Sequence, residues 1–239
     1  MESRKKQSKG LPEEILAKLD VDGVGIISLD EIDQPSIKEK IKTLLPSAKS
    51  VIVLLQEVFP ETVRHITSKA SIGDMALRDF FGSNTEIASG HLNWEAYDLV
   101  RRLHRIGNKG LVLPATGGPY GGKYLEGPVS YKKLAEMAGL GIVGWNGLLL
   151  TLKYGPKVRL AGVVTDAVIE TLSAKEDYIS PCAECGGACE IICPIKAINK
   201  PPAGTNCQID KYACNTYLVA TGACSECLKA CPGFKVTTS

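Results

Sequence analysis

Short apolar runs alternate with stretches of helical periodicity over most of the chain. Pro12 to Leu19 has helical spacing, Gly23 to Ile27 reads as a short apolar strand, and Gln34 to Leu45 reads as a helix that stops near Pro46. Ser50 to Leu55, Ser-Val-Ile-Val-Leu-Leu, is a β-branched run of the kind that is buried on both faces of a sheet. Trp94 to Ile106 puts Tyr97, Val100, Leu103 and His104 on one helical face, and Gly107 can cap that helix. On such a face His104 is expected to be a packed or hydrogen-bonded core residue. Gly110 to Ala115 is a further buried strand and Ser130 to Ala138 a further helix. Gly147 to Leu152 and Lys157 to Thr165 read as two strands joined into a hairpin through Tyr154-Gly155-Pro156. The expected fold class is therefore α/β (α+β), with a mixed sheet instead of a parallel wind.

The pattern changes near Ser180, because all nine cysteines lie from Cys182 to Cys231. They form two runs that each close on Cys-Pro: Cys182-x2-Cys185-x3-Cys189-x3-Cys193-Pro194 and Cys224-x2-Cys227-x3-Cys231-Pro232. A [4Fe-4S] cube takes four thiolates, so two clusters take eight of the nine cysteines. In the dicluster pattern the cysteine before proline crosses to the other cluster. One cluster then takes Cys182, Cys185, Cys189 and Cys231. The other takes Cys193, Cys224 and Cys227 with either Cys207 or Cys214, and spacing does not choose between these two. The first run carries one residue more than C-x2-C-x2-C-x3-C-P, within Gly186-Gly187-Ala188, where permissive residues absorb it as a widened loop.

A disulfide framework belongs to small secreted chains, and Met1-Glu2-Ser3-Arg4-Lys5-Lys6 leads into no apolar export segment. Zinc in paired C-x2-C knuckles leaves Cys189, Cys193, Cys231 and both prolines without a role. A reducing, cytoplasmic setting follows, since thiolates destined for iron must escape oxidation. The chain divides into a flexible tail at 1–10, a cysteine-free domain at 11–179 and a dicluster domain at 180–239.

Composition narrows the function. At 239 residues and 44% hydrophobic content the chain can bury a full core. A net charge of +2 gives no dominant field for nucleic acid, and the basic cluster Arg4-Lys5-Lys6 with Lys9 sits in a polar tail. The richest apolar stretch, Leu140 to Leu152, is broken by Gly141, Gly144, Asn146 and Gly147, so no membrane span is expected. His65, His91 and His104 have no metal-ligand spacing.

Two glycine motifs invite a nucleotide reading and fail in context. Gly139-Leu140-Gly141-Ile142-Val143-Gly144 follows a helix and opens a strand, the reverse of a dinucleotide fold. Gly117-Gly118-Pro119-Tyr120-Gly121-Gly122-Lys123 resembles a P-loop, but Tyr124 stands where Ser or Thr holds magnesium. Both clusters are either ordinary turns or places where backbone approaches a large flat ligand.

The segment from Ala138 to Asp166, with Ile209-Asp210-Lys211, Cys214, Tyr217 and Gly222 ahead of Cys224, resembles the signature shared by epoxyqueuosine reductases and reductive dehalogenases. The resemblance covers about the last hundred residues. It implies a nitroreductase-like domain that binds cobalamin beside the first of two [4Fe-4S] clusters, followed by a ferredoxin-like domain. It also implies Cys214 as the eighth ligand and Cys207 as the spare. Cofactor contacts would come from Gly121, Gly122, Gly141, Gly144, Trp145, Asn146 and Gly147. The family's acid, in an Asp-Ser-x-Pro-Val type segment, is replaced at its position by Leu125 of Leu125-Glu126-Gly127-Pro128-Val129, leaving Glu126, Tyr124 and Tyr131 as candidate proton donors. Trp145 stands where the family has a Lys or Arg, and neither an export leader nor C-terminal helical repeats are legible.

Three functions follow as expectations. One is a corrinoid-dependent reductase fed by ferredoxin or flavodoxin. Another is an electron-transfer or activating protein for a corrinoid held by a partner protein. The last is a flavin enzyme, which the fold permits and no motif demands.

Overall fold

The computed structural model describes residues 16–66, 75–115, 127, 129–171, 179–202, 208–221 and 224–234. Along them run β1 (Gly23–Ser28), α1 (Pro35–Leu44), β2 (Ser50–Glu57), α2 (Pro60–Arg64), α3 (Met75–Arg105), β3 (Gly110–Leu113) and α4 (Tyr131–Met137). There follow β4 (Ile142–Val143), β5 (Leu149–Leu150), β6 (Val158–Thr165), α5 (Ala188–Ile192), β7 (Ile198–Asn199), β8 (Gln208–Ile209), α6 (Lys211–Thr221) and α7 (Glu226–Ala230). The chain forms two compact units, each assembled from separate stretches. The first takes Met1–Gln56, Ser89–Leu140 and Leu160–Glu176; the second takes Glu57–Ala88, Gly141–Arg159 and Asp177–Ser239. The cysteine region thus shares its unit with two stretches of the cysteine-free sequence.

The first unit is built on a four-stranded sheet in the order β1-β2-β6-β3. β1 runs antiparallel to β2, with Gly23 opposite Leu55 and Ser28 opposite Ser50, and β3 runs antiparallel to β6, with Gly110 opposite Thr165. Val51 to Leu55 are all buried, as a continuous β-branched and aliphatic run in an inner strand requires. The second half of α3 lays Leu92, Ala96, Leu99 and Leu103 against Ile26, Ile52, Leu54, Ala161 and Val163. That i, i+4, i+7, i+11 spacing makes one face, and each leucine buried there contributes about 1.5–3 kcal/mol. Gly25 lets α4 close onto β1, since a Cβ there would sit 2.8 Å from Ala138 Cβ and 2.9 Å from Leu140 Cγ. Asn93 fixes the end of β3 through Ala115, whose N–H donates to Asn93 Oδ1 at 2.6 Å while Asn93 Nδ2 donates to its carbonyl at 3.3 Å.

Two expectations fail in this unit. The helix begins at Met75, well before Trp94, and Tyr97 and His104 lie on its exposed side, with Tyr97 51% accessible. A 3.6-residue period tolerates two candidate faces when apolar residues lie on both, and the stripe through Leu99 buries more aliphatic surface. His104 is thus a surface residue, whose Nε2 accepts a 3.4 Å bond from Gly110 N–H.

In the second unit, Gly147 to Leu152 does not pair with Lys157 to Thr165. Leu150 lies opposite Ile142 and Leu149 opposite Val143, so β5 pairs with β4. The cause is the turn between them. Gly147 at φ 67° allows its N–H to reach Gly144 O at 2.8 Å while Gly144 N–H reaches Leu148 O at 2.9 Å. Thr151 and Gly155 then bridge each other, which carries the chain away before β6 begins. A small core of Val58, Val63, Ile66 and Phe81 packs on Leu228 of α7, and Lys229 Nζ donates to Ile66 O at 2.6 Å. α7 is thereby tied to α2. The first half of Pro12 to Leu19 falls outside the described residues, as does the whole P-loop-like run from Gly117 to Lys123. No helix among the described residues is long and apolar enough to cross a membrane.

Candidate metal centre

The cysteines of the first run sit on a turn and a short helix. Cys185 N–H bonds Pro181 O at 3.1 Å, and Cys189 lies in the first turn of α5. The inserted residue is taken up by Gly186 and Gly187, both left-handed at φ 70° and 78°. Cys193 and Cys231 each cap a helix in extended backbone, with ψ 115° and 120°. Proline forces this, because it excludes the helical region for the residue before it. Each pre-proline thiol therefore leaves its own helix, and α5 and α7 pack on one another.

The result is two neighbourhoods of thiols. Cys182, Cys185, Cys189 and Cys231 line one pocket with Trp145, Asn146, Ala188 and Pro232. Cys214 feels the charges of Cys224 and Cys193, and Cys227 those of Cys224, Cys214, Cys189 and Cys193. Cys227 is thus the thiol that senses both groups. Cys214 stands on α6, whose start is capped by Asp210: Tyr212 N–H and Ala213 N–H donate to Asp210 Oδ1 at 3.1 and 2.9 Å. Cys207 lies outside the described residues. Among the described residues no three His, Cys, Asp or Glu groups converge as one metal ion would need. Four thiols spread around a pocket suit a cube, in which each binds a separate iron corner.

Burial raises the Cys189 thiol to about 11, with Cys231, Cys182 and Cys185 adding repulsion and the Glu190 backbone N–H opposing. Burial likewise pushes Cys227 to about 12, reinforced by Cys224, Cys214, Cys189 and Cys193. Cys231 is raised by burial and held back by the Gly233 N–H and the Asn146 side chain. Cys214 is raised by burial of its sulfur, then by Cys224, Cys193 and Asp210, though the residue as a whole is exposed. Such thiols are protonated without metal, and loading iron must expel their protons. For the iron-free chain the sign is set by folded values above the ordinary thiol value of 9.0. The stability that these groups contribute is complete below about pH 9 and is lost as pH rises toward 11. Urea midpoints of the iron-free, reduced chain are expected to fall across that window; a midpoint that rises would contradict the burial of Cys189 and Cys227.

The glycine-rich stretch serves the hairpin itself. Gly141 has φ 150°, and a Cβ on it would lie 2.1 Å from Leu150 O. A Cβ on Gly144 would lie 2.8 Å from Leu150 Cδ1. The turn delivers Trp145 and Asn146 to the cysteine pocket, where Trp145 N–H donates to Cys182 Sγ at 3.5 Å. Gly121, Gly122, Tyr124 and Glu126 lie outside the described residues, and Tyr131 is half-buried at the start of α4 in the first unit. Two features escape a reading by motif. The Lys200 ammonium sits 5.8 Å from the Trp145 ring centre. Gly233 presses on Gly155, with a Cβ there only 3.0 Å from Gly155 Cα, which pins the strand of chain after Cys231. A glycine directly after Cys-Pro was the one available signal.

No family model matches the chain. It is 31% identical over 139 residues to the epoxyqueuosine reductase of Gloeobacter violaceus, covering 55% of this chain and 41% of that protein. It is 29% identical over 211 residues to the tetrachloroethene reductive dehalogenase of Desulfitobacterium hafniense, covering 80% of this chain and 34% of that one. The chain therefore spans well under half the length of these relatives. Among solved structures, a reductive dehalogenase whose structure suggests a mechanism for B12-dependent dehalogenation superposes with TM-score 0.68 at 20% identity, over 92% of this chain and 30% of that one. A crystal structure of epoxyqueuosine reductase superposes with TM-score 0.55 at 18% identity, over 94% and 67%. With the fold shared at that level and the sequence related to both groups, the chain is an epoxyqueuosine reductase- and reductive dehalogenase-like protein.

Proposed function

We propose that this protein is an iron-sulfur oxidoreductase that passes electrons through two [4Fe-4S] clusters to cobalamin for reduction of a small substrate. Cys182, Cys185, Cys189 and Cys231 hold one cluster; Cys193, Cys214, Cys224 and Cys227 hold the other. The observation that carries this is the crossing of Cys231, which leaves its own run to line a pocket with the three cysteines of the other run. The reading takes the cysteine unit as the ferredoxin-like part and the first unit as the nitroreductase-like part. A reduced ferredoxin or flavodoxin is the donor, and the setting is cytoplasmic.

Cobalamin is supported by the relatives, one of which is described as B12-dependent. When bound, its cobalt supplies the reductive chemistry, and the protein positions it. Yet Gly141 and Gly144 do not offer it a cradle, because Leu150 fills the space beside them. That observation favours a second reading, in which the chain reduces a corrinoid held by a partner protein and has no substrate site of its own.

One experiment separates them. The chain is purified without oxygen, its iron and sulfide are counted, and it is titrated with cobalamin and with flavin while the visible spectrum and the melting temperature are followed. Eight irons with cobalamin binding support the first reading; eight irons with neither cofactor bound support the second. Fewer than about six irons per chain would reject both.

A further inference from the structure

Asn146 is 5% exposed, and both its amide oxygen and its amide nitrogen are engaged. Its Oδ1 accepts the Leu148 N–H at 3.1 Å, which fixes the orientation of the amide and leaves both protons on Nδ2 to donate. One goes to the Cys227 carbonyl at 3.4 Å. The same side chain lines the pocket with Cys231, Cys182, Cys185 and Cys189, and its amide favours the charged form of the Cys231 thiol. Cys227 and Cys231 belong to different thiol neighbourhoods, so a single buried amide touches ligands of both.

Resting on the two-cluster reading above, we infer that Asn146 is a positioning residue that raises the reduction potential of the cluster on Cys182, Cys185, Cys189 and Cys231 and holds it in register with its neighbour. A [4Fe-4S] cluster gains a negative charge on reduction, and part of that charge resides on the ligand sulfurs. A donor aimed at a sulfur stabilises the reduced state more than the oxidised one. Burial removes the water that would otherwise screen this preference. The neighbouring Trp145 N–H, 3.5 Å from Cys182 Sγ, acts in the same direction on another thiol of the pocket. The turn through Gly144 and Gly147 delivers both donors, which gives the β4–β5 hairpin a purpose that its glycines alone do not explain.

The test uses the full chain with its clusters in place and two variants. Asn146→Asp keeps the shape and the acceptor for Leu148 but removes both donors and adds charge. Asn146→Leu removes the donors without adding charge. Potentials are read by a redox titration followed by electron paramagnetic resonance, with iron counted on the same samples. In at least one variant all eight irons are expected to remain, one midpoint potential to fall by about a tenfold change in the reduced-to-oxidised ratio, 59 mV for one electron, and the other to stay in place. The fall is expected to be larger for Asp than for Leu where both retain iron. Two unmoved potentials in an iron-replete variant overturn the assignment. Loss of iron from both variants also overturns it, because a tuning residue is dispensable for assembly. Too little iron in the unaltered chain instead sinks the two-cluster reading, so the two failures are distinct.

Discussion

Replacing Cys214 by alanine is expected to halve the iron bound per chain, from about eight to about four. Cys214 lies on α6, in a different stretch from either cysteine run, yet its thiol is coupled electrostatically to Cys224 and Cys193. On the two-cluster proposal, removing it would leave Cys193, Cys224 and Cys227 with three thiolates for a cube that takes four. The pocket of Cys182, Cys185, Cys189 and Cys231 is untouched by the change, so its cluster is expected to persist and to keep its own spectrum. Cys207→Ala is the matched control and is expected to retain all the iron. Iron and sulfide counts on the two variants decide the matter, and the reverse pattern would make Cys207 the eighth ligand. Asp210 offers a weaker version of the same test: losing the cap of α6 costs about 1 kcal/mol, which loosens Cys214 without removing its sulfur.

Gly141→Ala is expected to be among the most destabilising single substitutions in the chain. Its φ of 150° costs an L-residue about 1–3 kcal/mol, and the added Cβ would meet Leu150 O at 2.1 Å. The obstacle is backbone, so no side chain can swing aside. The strand pair β4–β5 must open, and the total is expected to exceed about 4 kcal/mol. Opening it withdraws Trp145 and Asn146 from the cysteine pocket, so cluster loss on dilution should accelerate along with the fall in urea midpoint. Gly186→Ala is the control, because it too is left-handed, at φ 70°, but its Cβ meets nothing within 4 Å. Strain alone there costs about 1–2 kcal/mol. Equal losses at the two sites would refute the packing account of Gly141.

Much of the first unit was legible because its signals are local. The run Val51 to Leu55 allows only a buried strand, and Pro35 and Ile37 with Ile41 mark a short amphipathic helix. The helical face at Trp94 to Ile106 was misread because apolar and aromatic residues lie on both sides of α3. Only the sheet it packs against distinguishes Leu99 from Tyr97. The hairpin was misplaced for a related reason. Leu149 and Leu150 are apolar enough to pair with either neighbour, and the choice lies in the turn at Gly144 to Gly147, whose sharpness depends on a positive φ that composition does not reveal.

For the cysteines, spacing and the two prolines placed Cys231 with Cys182, Cys185 and Cys189 and left Cys207 and Cys214 open, because a pre-proline residue is driven out of helical backbone wherever it stands. The sequence by itself therefore determined the set that Cys231 joins and the local runs, such as Val51 to Leu55, that form strand or helix. Only the tertiary structure decided what the glycines are for. Whether a glycine makes room for a ligand or for its own chain depends on what lies beyond the missing Cβ. At Gly141 and Gly144 that is Leu150, brought there by a strand pairing no motif records, and it is this pairing that turns Asn146 from a loop residue into a buried donor between two sets of thiols.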